Sequence, residues 1–323
     1  MGTTPHSITP EKTKYHAQIL SNRIKNRFAH LSKRFRRQNI DCFRLYDWDI
    51  PEVRAVVDWY AGHAVVGEYV RWQTGPEWLS SMAAAVAETL KLPPGHVHVK
   101  RRRTATQNQP RYTKISSQGK RFKVKERGLC FWVNLDDFLD TGLYSDHRDT
   151  RVIIKELSAG KDFLNLFAYT GAFSCAAASG GAKTTTTVDR SETYLDWAKK
   201  NLELNGLWGS RHTLVQSDVE KYLERAFREG QRFTLAFVDP PSFFQDHNKN
   251  ISFDITQDHP SLIQKVLKVM APGSFVFFST NHQRFEPHFE GLCVKDLTEL
   301  TPKTIPEDYR NRQIHRCWKM TAL

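Results

Sequence analysis

The residues of this chain best suited to chemistry are Asp239, Pro240, Pro241, Ser242 and Phe243, which follow the apolar run Phe233 to Val238. A carboxylate, two prolines and an aromatic at the carboxyl end of a buried strand make a rigid lip able to hold a planar base. The prolines fix φ and remove two backbone donors, so nearby carbonyls stay free to accept hydrogen bonds. An isolated Asp-Pro-Pro can equally be a turn after a strand. Here the strand stands fourth in an alternating β/α series, where open α/β sheets place their ligands.

A second constellation precedes it. Leu164-Asn165-Leu166-Phe167-Ala168-Tyr169-Thr170-Gly171 lies between the first strand of that series and its helix. Gly171 permits a tight turn and close approach of a ligand to the backbone. Asp189 ends the second strand, 18 residues further on, where a carboxylate can accept from both hydroxyls of a ribose. Arg190 and Ser191 beside it are placed in the same site. Asp218 follows the third strand, positioned to accept from the exocyclic amine of an adenine. Acids at successive strand ends (189, 218, 239) suit a nucleoside without phosphates, such as S-adenosylmethionine. A dinucleotide would want G-x-G-x-x-G and a helix N-terminus facing its pyrophosphate; this loop has one glycine. Ser179-Gly180-Gly181 reads as a helix end.

The elements that must position these groups follow from periodicity. Strands are expected at 162–167, 184–189, 213–216, 233–238, 274–279, 293–298 and 316–321, and helices at 172–179, 191–204, 219–227 and 259–270. Ser191 is the expected N-cap of the second of these helices. Alternating strands and helices demand a largely parallel sheet with right-handed crossovers. The last two strands suit an antiparallel edge joined by a short loop. The expectation is an α/β, Rossmann-like fold with a seven-stranded, mostly parallel sheet. Before it, 15–38 reads as a helix with Leu20, Ile24, Phe28, Leu31 and Phe35 on one stripe. Strands follow at 42–46, 53–60, 63–70 and 96–103, with a helix at 76–90 and a basic, turn-rich stretch at 111–125. The expected division is a frayed tail (1–14), a basic helix with an α+β module (15–135), and the larger domain (136–323).

Charge separates the same regions. The 323-residue chain carries +12. Residues 1–40 hold nine Lys/Arg and one acid, and residues 100–125 hold ten Lys/Arg and no acid. Together these supply +18, leaving −6 for the remainder. A basic part beside a mildly acidic one points to a bound polyanion, with affinity falling steeply with salt. Arg34, Arg37, Arg101, Arg102, Arg103, Arg111, Lys114, Lys120 and Arg121 are the candidate RNA contacts. Tyr112 and Phe122 could stack on bases, although Phe122 is as readily core. Arg310, Asn311, Arg312 and His315 either face the substrate or form a hairpin between the last strands. A membrane surface is disfavoured, because no helix shows an aromatic-faced basic pattern and no run approaches a spanning length. Five scattered cysteines without metal-ligand spacing read as reduced residues of a cytoplasmic protein. The histidines form no H-x-x-H or H-E-x-x-H pair, so no metal is expected.

Thr141-Gly142-Leu143-Tyr144-Ser145-Asp146-His147-Arg148, the 164–171 loop, Thr187-Val188-Asp189 and Asp239 to Phe243 together resemble the RlmK family. These are class I S-adenosylmethionine-dependent 23S rRNA guanine-N7 methyltransferases, often found as the C-terminal half of bifunctional RlmKL. The likeness runs from the basic helix to Asn311-Arg312-Gln313-Ile314-His315. It implies that Asp146 and Arg148 hold the methionine end of the cofactor, with Tyr144 and Tyr169 in the same site. Asn165, Phe167, Thr170 and Gly171 would line it, Asp189 would take the ribose and Asp218 the adenine. The sequence has no partner methyltransferase or THUMP-like half, which leaves open whether a separate guanine-N2 methyltransferase supplies the second methylation. The expected partner is 23S rRNA or a large-subunit precursor.

The target atom can be argued from what is missing. Carbon-5 methylation of a pyrimidine needs a cysteine nucleophile; related enzymes carry one just after the fifth strand, where this chain reads Phe278-Ser279-Thr280-Asn281. Guanine N7 has an in-plane lone pair and no proton, so it requires delivery in line with a methyl donor and no general base. Asp239 would accept from the Watson–Crick edge or stabilise the cationic product, and Phe243 would stack on the base. Exocyclic N2 methylation stays open, as does a non-catalytic RNA-binding or ribosome-assembly role.

Overall fold

The structure is a computed structural model and describes residues 8–69, 74–102, 119–246 and 251–323. Arg103, Arg111, Lys114 and Tyr112 lie outside the described residues, as does the side chain of Arg102. The chain divides into two compact units, residues 1–145 with 307–310, and residues 146–306 with 311–323.

The first unit opens with α1 (Pro10–Arg37), capped by the Thr9 side chain, which accepts from Lys12 N. Its expected stripe is its buried face: Leu20, Ile24, Leu31 and Phe35 are buried, and Phe28 packs edge-on to Trp59 at 4.7 Å. Four strands form one sheet in chain order, β1 (Cys42–Asp47), β2 (Ala55–Tyr60), β3 (His63–Tyr69) and β4 (Val97–Arg102), with α2 (Pro76–Leu90) crossing between the parallel pair β3 and β4. Trp78, Met82 and Val86 of α2 join the α1 stripe in one apolar core with Leu45, Val57 and Val66. A hairpin of β5 (Phe122–Glu126) and β6 (Leu129–Val133) was read from sequence only as basic and turn-rich. Phe122 stacks on His63 (4.4 Å, 24°), which stacks on His96 (4.0 Å, 7°), so one ring face of Phe122 is already covered.

The second unit holds α3 (Arg148–Leu157), β7 (Asp162–Leu166), α4 (Ala172–Ser179), β8 (Thr184–Asp189), α5 (Glu192–Leu204), β9 (His212–Gln216), α6 (Val219–Arg228) and β10 (Phe233–Val238). It continues with β11 (Phe243–Asp246), β12 (Ile251–Asp254), α7 (Ile255–Leu267), β13 (Met270–Thr280), β14 (Val294–Glu299), α8 (Thr301–Thr304) and β15 (Arg316–Ala322). The seven-stranded sheet has the order β14-β15-β13-β10-β7-β8-β9. Its members run parallel from β13 to β9, while β15 is antiparallel to both neighbours. Alternate residues serve opposite faces, as period-two geometry requires. Leu164, Leu166, Ala236, Val238, Val276 and Phe278 meet α6 and α7, whereas Phe163, Leu235, Phe237 and Phe277 meet α3 and α4.

Four expectations need correction. The helix expected at 259–270 starts at Ile255, because the Asp254 side chain accepts from Thr256 N and caps it, and Met270 already belongs to β13. Helix α3 was not anticipated, and neither was the β11–β12 hairpin. Strands β14 and β15 pair antiparallel, but 300–315 between them is a long excursion: α8 lies in it, and 307–310 belongs to the first unit.

Candidate functional site

Chain order places the site. From β7 the strands proceed through β8 to β9, and β10 then returns to the other side of β7. The crevice outside the carboxyl ends of β7 and β10 is therefore a topological switch point, where such sheets bind ligands. Val238 pairs with Leu166, so Asp239 and the 167–171 loop leave the sheet as neighbours.

The loop after β7 is held in an unusual backbone. Phe167 (φ 55°), Tyr169 (φ 51°) and Gly171 (φ 70°) are all left-handed. Non-glycine residues there store strain that only a well-determined surround maintains. Gly171 has a second requirement: a Cβ would lie 2.6 Å from the Ala198 Cβ, so the glycine lets α5 close on α4. Thr170 is wholly buried, its carbonyl accepting from the Asn201 amide at 2.9 Å. Asn165 is buried too and donates to Ser174 Oγ at 2.9 Å. Both support the loop from within.

Asp189 joins this loop to the end of β8. Its Oδ2 accepts from Tyr169 N at 2.8 Å and its Oδ1 from Ser191 N at 2.9 Å. Burial pushes its carboxyl up to about 6, against the pull of those backbone donors. Ser191 caps α5, accepting from Tyr194 N. Asp218 is the N-cap of α6: Oδ1 accepts from Glu220 N and Lys221 N, and Oδ2 faces Arg190 Nε at 3.9 Å. Its cap role was not foreseen from the sequence.

At the end of β10, Ser242 Oγ donates to Asn281 Oδ1 at 2.8 Å, and its carbonyl accepts from Ile255 N at 3.1 Å. The Asp-Pro-Pro-Ser lip is thus tied to the end of β13 and the start of α7. Phe243 is 53% exposed, with its ring available to a partner. Asp239 Oδ2 lies 3.6 Å from His147 Nε2, and the same nitrogen is 3.9 Å from Asp146 Oδ2. His147 is buried, stacked on His315 (4.2 Å, 16°) and flanked edge-on by Phe173 and Phe237. Burial, then the neighbouring His315, pushes it down to about 3, so it is a neutral imidazole. His315 reaches Asp146 Oδ2 through Nδ1 (3.2 Å) and Thr304 Oγ1 through Nε2 (3.0 Å). This histidine pair was not read from the sequence, because only the β15 register brings the two rings together.

Asp146, His147 and His315 offer three potential metal-ligating atoms within 4.8 Å of one another. A metal must lie in the plane of each imidazole it binds, and two rings stacked at 16° share no such point. The cluster as it stands is a hydrogen-bonding one.

The other expected residues are dispersed. Arg148 is buried within α3. Tyr144 belongs to the first unit, where its hydroxyl donates to Asp140 Oδ2. Arg312 donates to the carbonyls of Pro306 and Pro302, so it braces the 300–315 excursion. Arg34 pairs with Glu307 at 2.8 Å, and Arg101 donates to the Thr74 carbonyl. Arg37 and Lys33 line a hollow on α1 with His30, Arg34 and Gln38. Lys120 is exposed, and Arg121 is half-buried.

Comparison with known proteins gives consistent matches. The model of the S-adenosylmethionine-dependent methyltransferase family matches residues 48–300. The ribosomal RNA large subunit methyltransferase K of Neisseria meningitidis serogroup B is 42% identical over 308 residues, 93% of this chain and 86% of that protein. A solved methyltransferase, SMU.776, complexed with SAH, has a TM-score of 0.77 at 24% identity, over 96% of this chain and 82% of that one. An S-adenosylmethionine-dependent methyltransferase from Streptococcus mutans gives 0.76 at 23% identity, over 98% and 84%. At such identities these two structures speak for the fold.

Proposed function

Because the chain belongs to the S-adenosylmethionine-dependent methyltransferase family, we propose that it transfers a methyl group to N7 of a guanine in large-subunit ribosomal RNA. The relative that shares 42% of its residues acts on that RNA by name. The observation that carries the site is the set of carboxylates at the ends of β8, β9 and β10 around the β7–β10 switch point. Those carboxylates are acceptors that match the hydroxyl and amine donors of a nucleoside.

The cofactor supplies a methyl group on a positively charged sulfonium. Asp189 would hold the ribose, Asp218 the adenine, and Asp146 with Arg148 the methionine end. Asp239 would accept from the Watson–Crick edge of the guanine, Phe243 would stack on its face, and the rigid Pro240-Pro241 lip would orient the base for transfer to N7. Orientation of this kind contributes up to ~7–11 kcal/mol. No covalent intermediate is required. The two cysteines of the sheet unit's interior, Cys175 and Cys317, have thiols pushed far up by burial, so neither supplies a thiolate. The target base must be unstacked, at a cost of about a few kcal/mol, and phosphate contacts from the basic first unit offset it.

The test is transfer of a labelled methyl group to 23S rRNA lacking the modification, with the product nucleoside identified after digestion. N7-methylguanosine is expected; N2-methylguanosine would replace the target atom, and no transfer would overturn the reading. D239A should lower kcat by about 10²-fold or more with an unchanged unfolding transition. Turnover near wild type would remove Asp239 from its role.

A further inference from the structure

The lip after β10 has no side-chain donor of its own to offer a base. Asp239 is a carboxylate, Pro240 and Pro241 carry no N–H, Phe243 is an apolar ring, and the Ser242 hydroxyl is spent on Asn281 Oδ1 at 2.8 Å. Asn281 follows β13, the parallel neighbour of β10. Val238 pairs with Phe278, so Asp239 stands level with Ser279 and Asn281 two residues further out at the same edge. Its backbone is fixed: Thr280 is buried and its Oγ1 accepts from His282 N at 3.1 Å, while the Asn281 carbonyl accepts from Gln283 Nε2 at 3.3 Å. The Asn281 side chain is exposed, and with Oδ1 taken by Ser242 its Nδ2 has no partner among the described residues. A carboxamide is planar, so fixing its oxygen also sets the direction of its two N–H donors.

We propose that Asn281 is the residue by which the site reads guanine, its Nδ2 donating to O6 of the target base while Ser242 holds the amide in place. Purines differ at this position: guanine presents an acceptor, O6, next to N7, and adenine presents the N6 donor. A fixed donor therefore suits guanine, whereas an adenine amine would face N–H groups and leave both sides unpaired. Asp239 would accept from the N1 and N2 hydrogens, so the two side chains together cover the Watson–Crick edge. The inference rests on guanine as the target base and not on which of its nitrogens receives the methyl.

The test is kcat/KM for labelled methyl transfer to a 23S rRNA fragment carrying, at the methylated position, either guanine or 2-aminopurine, which lacks O6. N281A should lower kcat/KM about tenfold or more on guanine and by no more than about twofold on 2-aminopurine, where the contact is already gone. N281D keeps an acceptor for Ser242 and loses the donor, so it should fail on guanine as N281A does. Both variants should bind S-adenosylhomocysteine within about twofold of wild type, which separates base reading from loss of the cofactor site. Equal losses by N281A on the two bases would mark a merely structural role and overturn the proposal, as would near-wild-type transfer to guanine by N281D. Absence of transfer by the wild type ends the guanine reading and this inference with it; an active wild type matched by N281A ends this inference alone.

Discussion

At the residue scale, two buried groups tie the site to pH in opposite directions. Asp189 has a folded pKa near 6, above its usual 3.8. Between those values the folded chain binds more protons than the unfolded one, so its contribution to stability falls as pH rises, by about 1.4 kcal/mol per unit. His147, pushed from 6.5 down to about 3, does the reverse: the unfolded chain takes up the proton first, and stability falls as pH drops through that window. Between roughly pH 4 and 6 the two slopes largely cancel. H147F keeps a ring against His315, Phe173 and Phe237 but removes the titrating group. Denaturant unfolding of H147F should therefore change less favourably with rising pH from 4 to 6 than that of wild type, the difference between the two curves growing by up to about 1.4 kcal/mol per unit. The same carboxyl is the one proposed to hold the ribose. An ionised Asp189 can accept from both ribose hydroxyls, so S-adenosylhomocysteine affinity should weaken by up to about tenfold per unit below pH 6, with proton release on binding detected by calorimetry in buffers of different ionisation enthalpy. D189N should bind weakly and lose this dependence. The sequence showed where each acid stands, because strand ends are legible from period-two runs. It did not show burial, and burial is what sets Asp189 and His147 apart from ordinary members of their types.

At the element scale, what was legible is what local chemistry dictates. The helix at 172–179 and the strands at 184–189 and 233–238 fall where the apolar periods and caps put them. Helix α3 was missed because its motif was read for ligands, and the β11–β12 hairpin because its strands are four residues each, too short for a clear alternation. The course of 300–315 depends on long-range packing, since Arg44 N donates to Asp308 Oδ2 and Arg27 to the Asp308 carbonyl, and no local signal encodes that. Caps and close approaches yield predictions. Asp218 both caps α6 and faces Arg190, and asparagine caps as well as aspartate does. D218N should keep stability within about 0.5 kcal/mol and D218A should lose about 1 kcal/mol, while both weaken S-adenosylhomocysteine binding; chemical denaturation and calorimetry separate the roles. Gly180 ends α4 beneath α3, and a Cβ there would stand 2.0 Å from the Lys155 carbonyl oxygen. Backbone cannot swing aside as a side chain can. G180A should therefore cost about 3 kcal/mol or more by forcing α3 away, measured as a lowered denaturation midpoint with an unchanged slope.

At the scale of the whole molecule, the two units carry different kinds of recognition. The sheet unit is proposed to recognise a small nucleoside through buried carboxylates and fixed backbone, interactions that salt screens little. The first unit carries α1 and the described part of the 100–125 stretch, and its exposed cations sit in water, where phosphate binding is driven by counterion release. Structure also thins the list of candidates: Arg34 is engaged by Glu307 and Arg101 by the Thr74 carbonyl, whereas Lys33 and Arg37 line the α1 hollow. If each of those two neutralises one phosphate of the RNA, replacing both with alanine should flatten the slope of log K against log salt by about 1.4–1.8, the range between single-stranded and duplex contacts. Filter binding of a 23S rRNA fragment across a salt series measures that slope. Affinity for S-adenosylhomocysteine should stay within about twofold of wild type, because distant independent sites contribute additively. A slope unchanged in the double variant would move the phosphate track off α1 and leave the 100–125 stretch to carry it.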